Sequence, residues 1–268
     1  MPGPVAGSTT VVLPVLGRGG IPVDGVAAVV INLTAVAPAS AGYLTAYASG
    51  ATAPTTSILN FAAGRTVANL AVVPVGADGS IALRNGGAGT VHLLGDVSGY
   101  YLRGVPTVPG AYGAVGPFRL LVTRSGLGGP RGPIAGRGSV SVQMSGTGGL
   151  PGSGVAAVVV NITGIAARAG GFITAFADGA GRPNTSNVNF RAGATVARLA
   201  VVPVGLDGRI RLYNGSSGRV QLLVDVAGYY RAAVPRALRR SWVGFPVEVT
   251  NTCFSAHIQV YLPGGNSC

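Results

Sequence analysis

The chain contains one long internal repeat. Residues 25–101 return without a gap as residues 154–230, which lie 129 positions further along. The matching pieces include GVAAVVINLT with GVAAVVVNIT, LAVVPVGADG with LAVVPVGLDG, and GDVSGYY with VDVAGYY. Solenoid units run about 20–50 residues, so a repeat of this length indicates tandem globular domains, each large enough for its own core. We expect domains at 1–104 and 105–233, followed by a tail at 234–268.

The apolar residues of each copy follow the pattern of β-strands. They alternate with a period of two or form short runs of β-branched residues, and 45 Gly and 18 Pro supply breaks between the runs. In the second copy this pattern predicts eight strands, near 118–123, 138–145, 155–165, 171–177, 186–190, 196–204, 208–213 and 219–227. The expected fold class is all-β, with two antiparallel β-sandwiches of immunoglobulin-like or jelly-roll-like type and a short β-hairpin-like tail.

Turn residues and prolines predict how these strands are arranged. Asp207-Gly208 and Asn214-Gly215 lie between apolar runs, as expected of hairpin turns, so the last three strands are expected to form an antiparallel meander. Pro74 and Pro203 interrupt strong strands. Because proline cannot donate a hydrogen bond to a sheet, each of these strands is expected at a sheet edge or at a bulge.

Several motifs resemble a repeat that is appended to secreted actinobacterial proteins. They are FRLLVTRSGLGGP at 118–130, NTSNVNF at 184–190 and VDVAGYY at 224–230. In that family of accessory modules, found on cell-wall hydrolases, peptidases and glycoside hydrolases, the repeat typically opens with RLLDTRxG and closes with DVxGYY. The resemblance covers about residues 8–104 and 112–231 and implies an extracellular or cell-wall setting. Val122 stands where the family motif has Asp.

The first copy has no counterpart of the strand at 118–123, because the equivalent positions fall before Met1. A sandwich without one strand exposes unpaired backbone groups and favours donation of a strand from elsewhere. Alternating residues at 247–250 and 257–262 make the tail a candidate donor, in cis or in trans; the alternative is a frayed or out-of-frame end. Cys253 and Cys268 are the only cysteines, and in an oxidising compartment we expect a disulfide between them.

Two groups of side chains are candidate binding residues. Tyr43 and Tyr47 project from the same face of one strand and are either part of the core or a platform for sugar stacking. Tyr101 and Tyr230 end the two units, and each is expected either to pack against its neighbour or to contact a ligand.

The second group is basic. Arg209, Arg211 and Arg219 are expected on one face of the predicted meander, either solvated or binding phosphate or carboxylate. The first copy has Ser80, Ala82 and Thr90 at the equivalent positions.

Polar residues inside the apolar runs have a structural interpretation. Asn161 interrupts a strand and is expected to satisfy backbone groups at a domain face, and Asp225 is expected to accept hydrogen bonds from turn amides. No spacing of nucleophile, base or metal ligands indicates an enzyme or a metal site, so we expect no catalysis and no cofactor.

Charge is distributed unevenly over the chain. Residues 1–104 carry four Arg and three Asp, whereas residues 105–233 carry twelve Arg and three Asp. The basic second copy favours anionic partners such as acidic glycans or wall polymers, and the Arg-rich stretches lack the interleaved aromatics of specific nucleic-acid binders. No apolar run is long enough to span a bilayer. The start of the chain lacks a Sec leader, so an extracellular setting requires another route or a longer protein.

Three functions fit the sequence. The favoured one is a non-catalytic extracellular or wall-associated module for binding or adhesion to glycans or anionic wall polymers. The second is a structural spacer or a self-assembling surface protein that exchanges strands between chains. The third is an accessory fragment of a secreted hydrolase.

Overall fold

The computed structural model describes residues 3–233, and all regular elements in that part are β-strands. The predicted all-β class is confirmed. No helix within residues 3–233 is long and apolar enough to cross a membrane. The predicted tail hairpin, the donor strands at 247–250 and 257–262, and the Cys253–Cys268 disulfide lie outside the described residues.

The first repeat contains seven strands arranged in two sheets. The sheets have the orders β1-β6-β3-β4 and β5-β2-β7, and every pairing is antiparallel. The strands are β1 (Thr10–Pro14), β2 (Val26–Val36), β3 (Gly42–Ala48), β4 (Leu59–Phe61), β5 (Val67–Pro74), β6 (Ser80–Asn85) and β7 (His92–Leu102).

The second repeat contains the eight strands that the sequence predicts. Its sheets have the orders β12-β11-β14-β9 and β13-β10-β15-β8, again with antiparallel pairings only. The strands are β8 (Tyr112–Val122), β9 (Ser139–Gln143), β10 (Val155–Ile165), β11 (Gly171–Ala177), β12 (Val188–Phe190), β13 (Val196–Pro203), β14 (Arg209–Asn214) and β15 (Gln221–Arg231).

The strand order of the second repeat is that of an eight-stranded jelly roll. Counted within the repeat, strands 1, 8, 3 and 6 form one sheet, and strands 2, 7, 4 and 5 form the other. The prediction of a meander is therefore wrong, because β13, β14 and β15 alternate between the two sheets. The chain turns at Asp207-Gly208 and bends at 216–218, just after Asn214-Gly215, and each of these connections joins strands that belong to different sheets. The turn residues specify only that the chain reverses direction. The packing of the two sheets decides with which strand the following segment pairs.

The edge positions expected of the prolines are confirmed. Pro74 ends β5 and Pro203 ends β13, and both strands lie at the edge of their sheets. At a sheet edge, the side of the strand that lacks an N–H donor can face away from the sheet, so no hydrogen bond to a neighbouring strand is lost.

The first repeat has one strand fewer than the second within the described residues. The second repeat has β8 beside β15, whereas the equivalent strand of the first repeat, β7, pairs only with β2. Within residues 3–233 the strands of the first repeat thus follow the jelly-roll order, with no strand at the place equivalent to β8.

Each repeat has its own apolar core between its two sheets. A third, smaller cluster lies between the repeats and includes Ala28 and Val72 from the first and Val159 from the second. Residues 3–233 form one compact unit, so the outer face of the β5-β2-β7 sheet is partly buried by the second repeat.

Candidate anion-binding site

A cavity of about 620 Å³ lies at one end of the second repeat. Three turns build it: the turn after β10, the turn at 192–193 and the turn that precedes β15. Backbone hydrogen bonds hold these turns together, because the Arg168 amide donates to the Arg219 carbonyl at 2.9 Å and the Gly193 amide donates to the Ala167 carbonyl at 2.8 Å. Arg124, just after β8, completes the wall. The site therefore rests on rigid connections.

The lining of this cavity is positively charged because it contains three exposed arginines. Arg124, Arg168 and Arg219 line it, and no acidic residue does. The two ion pairs found within residues 3–233 use Arg119 and Arg211, so the guanidinium groups of the cavity form none there. An arginine guanidinium binds carboxylate or phosphate through parallel hydrogen bonds. Three of them around one cavity make it a candidate binding site for an anion.

Gln221 adds a polar group to the wall of the cavity. Its side-chain oxygen accepts a hydrogen bond from the Thr123 hydroxyl, and the Leu222 amide in turn donates to that hydroxyl at 2.9 Å. The side-chain NH₂ of Gln221 is then the end of the amide that can donate to a ligand. None of the residues lining the cavity is a carboxylate, a thiol, a hydroxyl or a histidine.

The first repeat has the same turn without the charges. Ala37 and Ala166 hold equivalent positions with φ of 43° and 47°, a left-handed conformation that is uncommon for residues other than glycine. Ala39, Thr90 and His92 stand where the second repeat has Arg168, Arg219 and Gln221, and Arg124 has no counterpart. Among the described residues, this cluster of arginines is thus found in the second repeat and not in the equivalent turns of the first.

The predicted arginine face does not form as expected. Arg209 and Arg211 lie on β14, and Arg219 precedes β15, which belongs to the other sheet. The prediction placed all three on adjacent strands because it assumed a meander.

The two arginines of β14 have partners within the protein. Arg209 donates to the Gln143 side chain at 3.0 Å, and Arg211 donates to Asp178 at 2.6 Å. Arg211 contributes to holding the pKa of Asp178 below its usual range, although the hydroxyl of Ser141 has the larger effect. Of the three predicted residues, only Arg219 lines the anion site.

The aromatic strand β3 does not present an exposed platform. Tyr47 and Thr45 are buried, and the Thr45 hydroxyl donates to the Thr56 carbonyl at 2.6 Å. Tyr43 is 40% exposed and lies over Gly86, where a Cβ would come within 2.2 Å of the ring. Phe172 lies over Gly215 in the same way in the second repeat. The apolar core of the first repeat includes Leu44 and Ala46 from the alternate positions of β3 and neither of the two tyrosines, so Tyr43 and Tyr47 lie on the other face of the strand, with Tyr47 buried and Tyr43 exposed.

Tyr101 and Tyr230 meet each other between the two repeats. Their hydroxyl oxygens are 2.5 Å apart, and the ring of Tyr112 stacks on Tyr101 with centroids 4.0 Å apart. The Tyr112 hydroxyl donates to the Ala227 carbonyl at 2.9 Å. Burial raises the pKa of Tyr112 and of Tyr230 far above the ordinary value. The contacts of Tyr101 and Tyr230 thus fit packing against the neighbouring domain.

A second polar cluster joins the repeats through Asn161 and Asp225. The Asn161 side chain donates to the Ser57 carbonyl and accepts from Asn69 at 2.9 Å, which confirms its expected role at a domain face. Asp225 accepts from the Ser57 amide at 3.2 Å and from Arg119 at 2.8 and 3.0 Å. Burial raises the pKa of Asp225, against the opposite effect of Arg119 and the amide. The expected bonds to turn amides are not seen: the one amide that donates to Asp225 belongs to Ser57, outside any turn and in the other repeat, and the main partner is Arg119.

The sequence prediction missed Arg124 and Arg168 as parts of the site. Both lie in turns, where strand periodicity carries no information about neighbours. The signal that points to Arg168 and Arg219 is the replacement of Ala39 and Thr90 by arginine between otherwise similar turns. The backbone hydrogen bond between residues 168 and 219 is what brings them together.

Comparison of the chain with protein-family models, curated proteins and solved structures found no match. Within residues 3–233 there is no cluster of three or more His, Cys, Asp or Glu side chains suited to a metal ion.

Proposed function

We propose that this protein is a non-catalytic extracellular or cell-wall-associated module that binds an anionic wall polymer or acidic glycan. The observation that carries the proposal is the cavity lined by Arg124, Arg168 and Arg219, whose guanidinium groups form no ion pair within residues 3–233. The extracellular setting rests on the resemblance to accessory repeats of secreted proteins.

The geometry favours a flexible polymer with spaced negative groups. A cavity of about 620 Å³ has room for one or two sugar-phosphate or uronic-acid units, and its three cations can neutralise more than one negative group. The surplus of twelve Arg over three Asp in residues 105–233 attracts such a polymer over a longer range. The arginines of the cavity then select its position.

The test is titration calorimetry with polyglycerol phosphate, polygalacturonate and neutral dextran at about 0.15 M salt, where distant charges are largely screened. The variant Arg168→Ala with Arg219→Thr gives the cavity two residues of the first repeat. We expect at least tenfold weaker binding of one of the two anionic polymers, and no binding of dextran by either protein.

A matched control distinguishes the effect of the cavity on binding from the effect of net charge. Arg18→Ala with Arg103→Ala removes the same two charges from exposed positions in the first repeat. We expect it to weaken binding less than threefold. Equal losses in the two double variants, or binding of dextran as strong as that of the polyanions, would contradict the proposal.

A further inference from the structure

Strand β7 has a free outer edge along its whole length within the described part of the chain. Its equivalent in the second repeat, β15, is paired on both sides, with β10 and with β8. The partners of β15 on β8 run from Tyr112 opposite Tyr230 to Val122 opposite Leu223. The same positions of β7, from Tyr101 back to Leu94, have no partner strand within residues 3–233.

Residues of β7 are more exposed to solvent than their equivalents on β15, because β8 covers β15 and no described strand covers the same edge of β7. Val97 is 39% exposed where Val226 is fully buried, and Tyr100 is 37% exposed where Tyr229 is 9% exposed. Leu94 and Leu102, also on β7, are exposed by more than half. Exposed apolar side chains along an unpaired strand edge are typical of a surface that another strand covers.

A groove beside β7 corresponds to the place that Phe118 of β8 fills in the second repeat. There the Phe118 ring lies so close to Gly148 that a Cβ on this glycine would be 2.1 Å from it. The equivalent residue, Gly19, has the same left-handed backbone, yet no atom lies within 4 Å of its Cβ position. A groove of about 400 Å³ runs there, lined by Gly19, Leu13 and the stretch Gly95–Val97.

The charged residues beside β7 and β15 can also be compared. In the second repeat Arg119 of β8 pairs with Asp225 of β15. Asp96, the equivalent of Asp225, is exposed and forms no ion pair within residues 3–233. Arg18 also lines the groove without pairing to Asp96. The groove therefore combines an aromatic-sized space with a carboxylate next to a free strand edge.

We propose that the edge of β7 is an acceptor site for an extended peptide strand of a partner protein that carries an aromatic residue followed by arginine and two apolar residues. The chemistry of this strand is that of Phe118-Arg119-Leu120-Leu121 in β8. Main-chain hydrogen bonds to β7 supply the affinity, the aromatic ring fills the groove at Gly19, and the arginine pairs with Asp96. This site is separate from the anion cavity.

The test uses a fluorescent peptide with the sequence of residues 112–123, YGAVGPFRLLVT, and the full chain. We expect saturable binding by fluorescence anisotropy, together with slower hydrogen exchange of the β7 amides. A peptide with Arg119→Asp is the matched control, and we expect it to bind at least tenfold more weakly.

Reversing the charge on the protein and on the peptide together tests whether Asp96 contacts the arginine of the peptide. The protein variant Asp96→Arg is expected to lose affinity for the original peptide and to recover it for the Arg119→Asp peptide. Asp96 is exposed, so this variant is expected to keep the folding stability of the original protein.

Several outcomes would overturn the proposal. They are no binding, protection at β15 in place of β7, or equal binding of both peptides by both proteins. Protection of β7 in the chain alone would also overturn it: if protection rises with protein concentration, a second copy occupies the edge, and if it does not, residues 234–268 do.

Discussion

Arg119 and Asp225 form the ion pair that most depends on burial. The side chain of Asp225 is 5% exposed and that of Arg119 is 20% exposed. Moving a carboxylate out of water is costly, and the guanidinium and the Ser57 amide offset that cost in part. The equivalent Asp96 remains in water and needs no such partner. Two residues in matched positions of one sequence thus have opposite environments.

Replacing Arg119 by methionine keeps much of the apolar packing and leaves Asp225 buried without its cation. We expect the free energy of unfolding at pH 7 to fall by about 3 kcal/mol, since breaking a buried pair has a cost of that order. Because burial already raises the pKa of Asp225, the carboxyl becomes easier to bury when protonated. The deficit is therefore expected to shrink as the pH falls towards 4, as measured by urea unfolding.

The matched control is Asp96→Asn, which changes an exposed carboxylate at the equivalent position. Its stability is expected to stay within about 0.5 kcal/mol of the original protein. A deficit for Arg119→Met that is independent of pH would mean that lost packing causes it.

At the scale of elements, β8 completes the second repeat, and no strand within residues 3–233 takes the equivalent place in the first. Leu121 of β8 is fully buried in the core of the second repeat, and Phe118 packs against the same core. The first repeat keeps its core with seven strands because the β1-β6-β3-β4 sheet still covers β2 and β5 from one side. The structural consequence of the missing strand is concentrated on β7.

Leu121→Ala removes a side chain that fills the space between β8 and the core. We expect a loss of about 3 kcal/mol in the free energy of unfolding, because the surrounding strands collapse only partly into the cavity. Leu94→Ala, on the exposed side of β7, is the control and is expected to change stability by less than about 0.5 kcal/mol. Comparable losses for the two variants in denaturant titrations would show that β7 is covered in solution.

At the scale of the molecule, the two repeats share a small apolar and aromatic contact. Tyr101, Tyr112 and Tyr230 form its centre, and Asn69, Asn161 and Ser57 add hydrogen bonds at its side. Equivalent residues meet at Tyr101 and Tyr230. The polar bonds reach from the first repeat to three strands of the second: Ser57 bonds Asp225 of β15, and Asn69 bonds both Asn161 of β10 and the Leu199 amide of β13.

The tyrosines at this contact predict a loss of stability in alkali. Burial raises the pKa of Tyr112 and Tyr230 in the folded chain, whereas in the unfolded chain both ionise near the ordinary value of 10. Their contribution to stability is therefore fully present below pH 10 and falls as the pH rises further. Tyr112→Phe is expected to lower the free energy of unfolding at pH 7 by about 1 kcal/mol through its lost hydrogen bond.

Above pH 10 the difference in the free energy of unfolding between Tyr112→Phe and the original protein is expected to shrink, because phenylalanine does not ionise. Urea unfolding at several pH values between 7 and 11 measures it. The exposed Tyr100, replaced by Phe, serves as the control and is expected to change stability little at pH 7. A difference for Tyr112→Phe that grows above pH 10 would contradict the assignment.

Much of the fold was predictable from local patterns. The bounds of β10 and β11 agree with the sequence prediction, because alternation of apolar residues records which side of a strand faces the core. The edge positions of Pro74 and Pro203 were predictable for a different local reason, because proline has no N–H to donate to a neighbouring strand. The candidate site was only partly predictable: Arg219 belongs to it, but Arg209 and Arg211 bind Gln143 and Asp178.

The sequence alone determined the strand content and the repetition of residues 25–101 as residues 154–230, because each depends on residues that are near in the chain or on a direct comparison of the copies. Only the tertiary structure decided the jelly-roll order, the grouping of Arg124, Arg168 and Arg219, and the pairing of Tyr101 with Tyr230. These depend on contacts between residues distant in the chain, and such contacts arise from the packing of whole sheets.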